Sequence, residues 1–312
     1  MIKCKIEIKK IKHLIKPIIV QNVINNSKIE NLLENTMLQN GKIWTELLHK
    51  KNNVNSLSDL EFKVFSQWGD DGIIQYLVNV LNIENKVFIE FGVEDYLESN
   101  TRFLLFNNNW SGLIMDGCEE HISKIKKSSY YWKYDLIAKS AFITAENINN
   151  LIEKEKINGE IGLLHIDIDG NDYWVWKALT VVNPIIVIVE YNSIFGKDRA
   201  VTIPYKPDFV RTISHKSNLY AGTSLMSLCD LAEQKDYAFI GCNSAGNNAY
   251  FVKKKALKNI KELTLDEGFV ESKFRESRNI EGKLNYLRGK ERIKNLKGLP
   301  VYNTRLNKIE NL

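Results

Sequence analysis

The feature that most constrains this chain is a series of strand-length apolar runs set between helix-length amphipathic stretches. The runs are Lys86–Phe91 (KVFIEF), Gly112–Asp116 (GLIMD), Ile161–Ile168 (IGLLHIDI) and Ile185–Glu190 (IIVIVE). Between and after them, Asn100–Asn107, Glu119–Ser128, Thr144–Lys156 and Asp172–Leu179 have helical spacing. Thr144 with Asn147 makes an imperfect capping box for the third of these helices. Tyr130–Tyr134 reads as a further short strand. Apolar runs this continuous are buried on both faces, which calls for a parallel sheet between helical layers. After a helix over Thr223–Lys235 come Tyr237–Cys242 and Tyr250–Lys253. A Gly/Ser/Asn loop joins these two runs, so they are expected to form an antiparallel pair at one edge.

At 312 residues the chain is long for one domain and is expected to carry extensions. Residues 61–253 hold all the sharp apolar runs. Residues 1–60 are rich in Lys, Asn and Ile, with weak helical periodicity in Ile15–Leu33 and Met37–Leu48. They read as a helical N-terminal extension, with residues 254–312 as a basic, helical-looking C-terminal one. The first 60 residues fit a membrane-surface helix, a dimer arm or a cap; a helical cap that helps cover the ligand site is the favoured reading. A homo-oligomer and contact with the inner face of a membrane therefore stay open. No apolar run is long enough to span a bilayer. The four cysteines are scattered with no CxxC pair, which argues against structural zinc and a disulfide scaffold. Reduced thiols and no signal-peptide pattern point to the cytoplasm. The net charge of +5 is spread along the chain and marks no nucleic-acid surface.

In doubly wound sheets, ligands sit at the carboxyl ends of the strands near the switch in strand order. The first strand ends Glu90–Phe91–Gly92–Val93–Glu94–Asp95. One glycine there allows a tight turn against a ligand, but Glu94 and Tyr96 stand where further glycines of a dinucleotide fingerprint are expected. Carboxylates here oppose a pyrophosphate and tolerate a cationic cofactor. Asp116 ends the second strand, 24 residues past Gly92, in position to accept from ribose hydroxyls or to cap the next helix. The strongest feature is His165–Ile166–Asp167–Ile168–Asp169–Gly170–Asn171–Asp172. Strand alternation puts His165, Asp167 and Asp169 on one face. Carboxylates this close repel unless a cation or a proton sits among them. Glu190 ends the next strand at the same sheet edge, so a metal-dependent transferase using Asp167, Asp169 and Glu190 is an alternative. Further candidates lie in the long polar segment 192–223 (Lys197, Arg199, His215), in the loop at Asn243, and at Gln67 and Asp71 in the SQWGDDGI motif.

Taken together, the glycine turn, the acidic end of the second strand and HIDIDGND resemble an S-adenosylmethionine-dependent methyltransferase. The closest pattern is the FkbM-type group of bacterial surface-polysaccharide gene clusters. Asp167, Asp169, Gly170 and Asp172 match that group's Asp–x–Glu–Gly–x–Glu run, with Asp in place of each Glu. SQWGDDGI, EFGVEDYLESNTRFLL, NNWSGLIMDG, VIVEYN, FGKDRAVTIPY and GCNSAGNNAYFV look like one subgroup of these proteins. The resemblance implies an α/β Rossmann-like methyltransferase sheet, mostly parallel with an antiparallel terminal strand pair. It implies S-adenosylmethionine bound by Glu90, Gly92 and Asp116, with Gln67 and Asp71 beside them. It implies O-methylation of a small-molecule or glycan acceptor. Asp167 and then His215 are the candidate bases, and Asp169, Glu190, Lys197, Arg199 and Asn243 the candidate acceptor contacts. A non-catalytic relative that binds a partner is the other alternative. No metal ligand is assigned.

Overall fold

The strands form where β-branched and aromatic residues run without a break, and a computed structural model gives their extents. It describes residues 28–29, 31–51, 54–81 and 83–312. The strands are Val87–Phe91 (β1), Ser111–Asp116 (β2), Leu136–Ser140 (β3), Gly159–Ile166 (β4) and Val182–Glu190 (β5). They continue as Val201–Thr202 (β6), Tyr237–Cys242 (β7), Asn248–Lys253 (β8), Pro300–Asn303 (β9) and Lys308–Asn311 (β10). A seven-stranded sheet has the order β3-β2-β1-β4-β5-β8-β7. Its first five strands are parallel, and β8 runs antiparallel to both β5 and β7. This is the mostly parallel Rossmann-like methyltransferase sheet with an antiparallel terminal pair. Strand order reverses at β1, which lies between β2 and β4, so the crevice of the switch opens above β1 and β4.

The helices are α1 (helical at 28–29 and 31–49), α2 (Asp70–Val80), α3 (Arg102–Asn108), α4 (Glu119–Lys127) and α5 (Ile148–Glu153). After them come α6 (Asp172–Ala178), α7 (Arg211–Ser214), α8 (Leu225–Gln234), α9 (Leu265–Gly268) and α10 (Lys290–Lys294). Alternate strand residues feed two cores, as the pleat requires. Ile89, Leu113, Leu164 and Val187 pack on one face with α5, α6 and α8. Phe88, Ile114, Leu163 and Ile186 pack on the other with α2, α3 and α4. No helix among the described residues is long and apolar enough to cross a membrane.

Two expectations change. Tyr130–Tyr134 is not a strand: it forms a turn, and Tyr134 stacks on Phe106 at 4.7 Å. The third strand is the next segment, Leu136–Ser140, at the sheet edge. The polar segment 192–223 has its own order. It contains β6 and α7, and β6 joins β9 and β10 in a three-stranded sheet. Phe195, Val201, Leu219, Leu296 and Val301 form a small core beneath it. The C-terminal residues thus add two short helices and a hairpin. Most of the expected helix Ile15–Leu33 lies outside the described residues; the expected Met37–Leu48 helix falls within α1.

Candidate functional site

A cavity of about 840 Å³ opens at the carboxyl edge of β1, β2, β4 and β5. Gln67, Glu90, Gly92, Asp116, Asp167, Asp169 and Glu190 all line it, so seven of the residues singled out in the sequence meet in one place. Gly92 has φ +73°, and a Cβ on it would lie 1.6 Å from the Asp167 carbonyl oxygen. Close approach of two strand ends is thus what requires glycine here. Beyond it, Glu94 and Tyr96 have φ +47° and +63°. The backbone adopts glycine-type conformations at the very positions where glycines are missing from the sequence. Asp116 helps to hold this turn by accepting from the Glu94 amide at 2.8 Å. It also accepts from the Cys118 amide at 2.8 Å, just ahead of α4.

Glu90 is buried at the end of β1 and is heavily engaged. It accepts from the Ser99 hydroxyl (2.6 Å), the Asn100 amide (3.0 Å), the Thr101 amide (3.2 Å) and His165 Nδ1 (2.9 Å). Burial pushes its pKa upward, but bonds from His165, Ser99 and Thr101 outweigh it and hold the carboxylate below its ordinary range. The Asn100 side-chain nitrogen Nδ2 faces His165 Nε2 at 3.2 Å, which makes Nε2 the acceptor and Nδ1–H the donor to Glu90. Glu90 therefore orders the start of α3 and fixes His165, with little capacity left for a ligand.

Asp167, Asp169 and Glu190 bring carboxylate oxygens within 4.8 Å of one another. Burial, followed by the charges of Glu190, Asp169 and Asp172, raises Asp167 well above the ordinary carboxylate range. Burial and Asp169 raise Glu190 as well, and Arg211 partly offsets this. The pair holds a proton that isolated carboxylates would have lost. Arg211 is the missing cation. It bonds to Asp169, to Glu276 at 2.7 Å and to the Asn218 carbonyl at 2.9 Å. Asp172 plays the turn role: it accepts from the Ile168 and Gly170 amides at 2.8 and 2.9 Å. Burial lifts it to about 6.

Five candidates do not line the cavity. Asp71 faces the other way and accepts from the amides of Val64, Phe65 and Ser66 at 2.7, 2.8 and 2.8 Å. Lys197 pairs with Asp266, and Arg199 pairs with Glu310 at 2.6 Å. Each therefore braces the C-terminal chain. His215 meets the Ser217 hydroxyl at 2.7 Å, and burial, then Lys216, lowers its pKa. Asn243 is buried and donates to Asp70 at 3.1 Å; its neighbours Asn247 and Asn248 reach the cavity instead.

Sequence reasoning missed Arg211, Trp68, Phe142 and the roof. Trp68 stacks on Phe274 at 5.9 Å and 19°. Phe274, Arg275, Glu276, Arg278 and Leu284 close the cavity from above. No described residue of α1 lines it, so the cap comes from the C-terminal chain. The unbalanced charge of HIDIDGND was a signal that a cation must exist, but nothing local identified Arg211.

No protein-family model matches the chain, and no curated protein matches it. Solved structures do. The N-terminal domain of EvdMO1 with SAH bound is 12% identical over 70% of this chain and 94% of that one, with a TM-score of 0.40. An O-methyltransferase from Bacillus cereus in complex with SAH is 12% identical over 70% and 91%, at 0.38. An S-adenosylmethionine-dependent methyltransferase from Clostridium acetobutylicum is 11% identical over 69% and 97%, at 0.37.

Proposed function

We propose that this chain is an S-adenosylmethionine-dependent methyltransferase that O-methylates a sugar or a surface-polysaccharide precursor. The observation that carries this reading is the convergence of Gly92, Asp116, Asp167 and Glu190 in one cavity at the switch point of the sheet. The donor set fits the cofactor. Asp116 stands beside a wall of Met115, Ala141, Phe142 and Ile143, which pairs a hydroxyl acceptor with an apolar surface for a flat base. The left-handed backbone at Gly92, Glu94 and Tyr96 keeps a glycine-type turn. The surrounding carboxylates suit a cationic ligand and repel a pyrophosphate. Asp116, the Gly92 turn and Phe142 would hold the cofactor within the 61–253 unit, while 254–312 roofs the acceptor. When bound, S-adenosylmethionine supplies a methyl group already activated on a sulfonium.

The protein's own task is then to position the acceptor and remove a proton. Trp68 and Phe274 offer stacked aromatic surface at the cavity wall, suited to a sugar ring. Asp167 takes the proton of the acceptor hydroxyl as that oxygen attacks, and Glu190 shares the proton. Raised pKa values make these carboxylates stronger bases than ordinary ones. Arg211 keeps Asp169 from adding an uncompensated charge beside them.

Titration calorimetry with S-adenosylmethionine and SAH tests this reading. We expect micromolar binding, about −8 kcal/mol, lost in Asp116→Ala. A folded protein that binds neither would overturn it.

A further inference from the structure

Helix α1 carries apolar residues on two opposite faces. One face packs inward. Leu38 lies against the cluster of Val64, Phe65 and Phe103, and a Cβ on Gly41 would fall 2.6 Å from Val64. Arg102 fixes the same face to the body. It pairs with Glu34 at 3.0 Å and lies over the Phe65 ring at 4.2 Å. The body has therefore taken one side of α1 and cannot take the other.

The opposite face holds Leu32, Leu33, Met37, Ile43, Trp44 and Leu47, each between 40% and 67% exposed. At about 100° per residue these six lie in one stripe roughly 140° wide. Exposed Thr36 and Asn40 also fall in this sector, yet six large apolar side chains around them are more than a monomer usually leaves in water. We propose that this stripe is the interface with a second copy of the chain, paired antiparallel along α1.

Self-complementarity favours that occupant. The stripe has apolar residues at both ends and Met37 near its middle, so a two-fold axis there lays it on itself. Charge favours it too. Lys28 and Glu46 are exposed, share one flank of the stripe and lie about five turns apart. Same-side flanks meet when two helices pair antiparallel, so Lys28 approaches Glu46 of the partner subunit, twice by symmetry. Parallel pairing brings opposite flanks together and leaves Lys28 and Glu46 without each other. Neither residue forms an ion pair within the chain among the described residues.

Sedimentation velocity of the full chain over a range of concentrations tests this. We expect a dimer. Leu33→Glu combined with Trp44→Glu is expected to sediment as a monomer with an unchanged far-ultraviolet spectrum, because both side chains are exposed in the single chain. Lys28→Glu and Glu46→Lys should each weaken the dimer, and the double exchange should restore it. A monomer at every concentration would overturn the inference. So would a dimer indifferent to Leu33→Glu with Trp44→Glu. Phosphatidylglycerol vesicles that capture a solution monomer through the stripe would assign the face to membrane instead. SAH binding is read on the same samples and is expected to be unaffected, which keeps this test separate from that of the enzyme reading.

Discussion

At Gly92 and Glu94 two left-handed backbone positions, two residues apart, predict opposite outcomes. Gly92 has positive φ and no room, because a Cβ would overlap the Asp167 carbonyl. Gly92→Ala is expected to cost more than about 3 kcal/mol in urea unfolding. Glu94 has positive φ but is exposed. Glu94→Gly relieves strain while loosening the unfolded chain, so its stability should stay within about 1 kcal/mol of the parent. A large loss there would mean that the Glu94 side chain holds the turn. Asp167 gives a third test. As the base it must be unprotonated, and its raised pKa places that change above the ordinary carboxylate range. Activity should therefore climb with pH above the ordinary carboxylate range, and Asp167→Asn should lower it by about 10²- to 10⁴-fold with SAH affinity retained. The sequence made Asp167 legible because a carboxylate within an apolar run has no cheap structural excuse. It did not reveal that Ser99, Asn100 and Thr101 fold back onto Glu90, because nothing local marks that contact.

The elements were legible where their pattern was strong, and β1, β2, β4 and β5 fall close to where their apolar runs predict. β3 was not, because an edge strand such as LIAKS needs little hydrophobicity, while the neighbouring YYWKY has the aromatic content of a strand without being one. Those aromatics pack on α3 instead. The motif proposed beside the cofactor and the loop proposed at the acceptor also form a clamp between elements. Asp70, at the start of α2, accepts from Asn243 at 3.1 Å, Asn248 at 3.0 Å and the Tyr250 hydroxyl at 2.5 Å. Glu61 accepts from the Ser244 amide at 2.6 Å. SQWGDDGI and GCNSAGNN thus tie the first helix after α1 to the edge hairpin. Asp70→Ala leaves several buried donors unpaired and should cost about 3 kcal/mol in chemical denaturation, with the β7–β8 hairpin losing hydrogen-exchange protection first.

Across the whole molecule, the site has a floor from the sheet and a roof from residues far along the chain. Pattern reasoning reached the floor, because strand ends are marked by polar residues that follow apolar ones. It did not reach the roof, since Phe274 and Arg278 lie in a polar stretch with no periodicity, and only the tertiary fold brings them over β4 and β5. Phe274→Ala removes half of an aromatic stack at the cavity, so the acceptor KM should rise about 3- to 10-fold. SAH affinity, measured by calorimetry, should hardly move. Equal losses in both would mean that the roof serves the cofactor.

The hairpin of β9 and β10 gives this arrangement an order in time. The seven-stranded sheet is complete at Lys253, yet β6, already bridged to Thr223, gains its strand partner β9 only at Tyr302–Asn303. During synthesis the sheet can close while the cavity still lacks its cover. A chain cut short between those points would keep the sheet but leave Phe195, Val201 and Leu219 without Leu296 and Val301, so that small core would stay open to water.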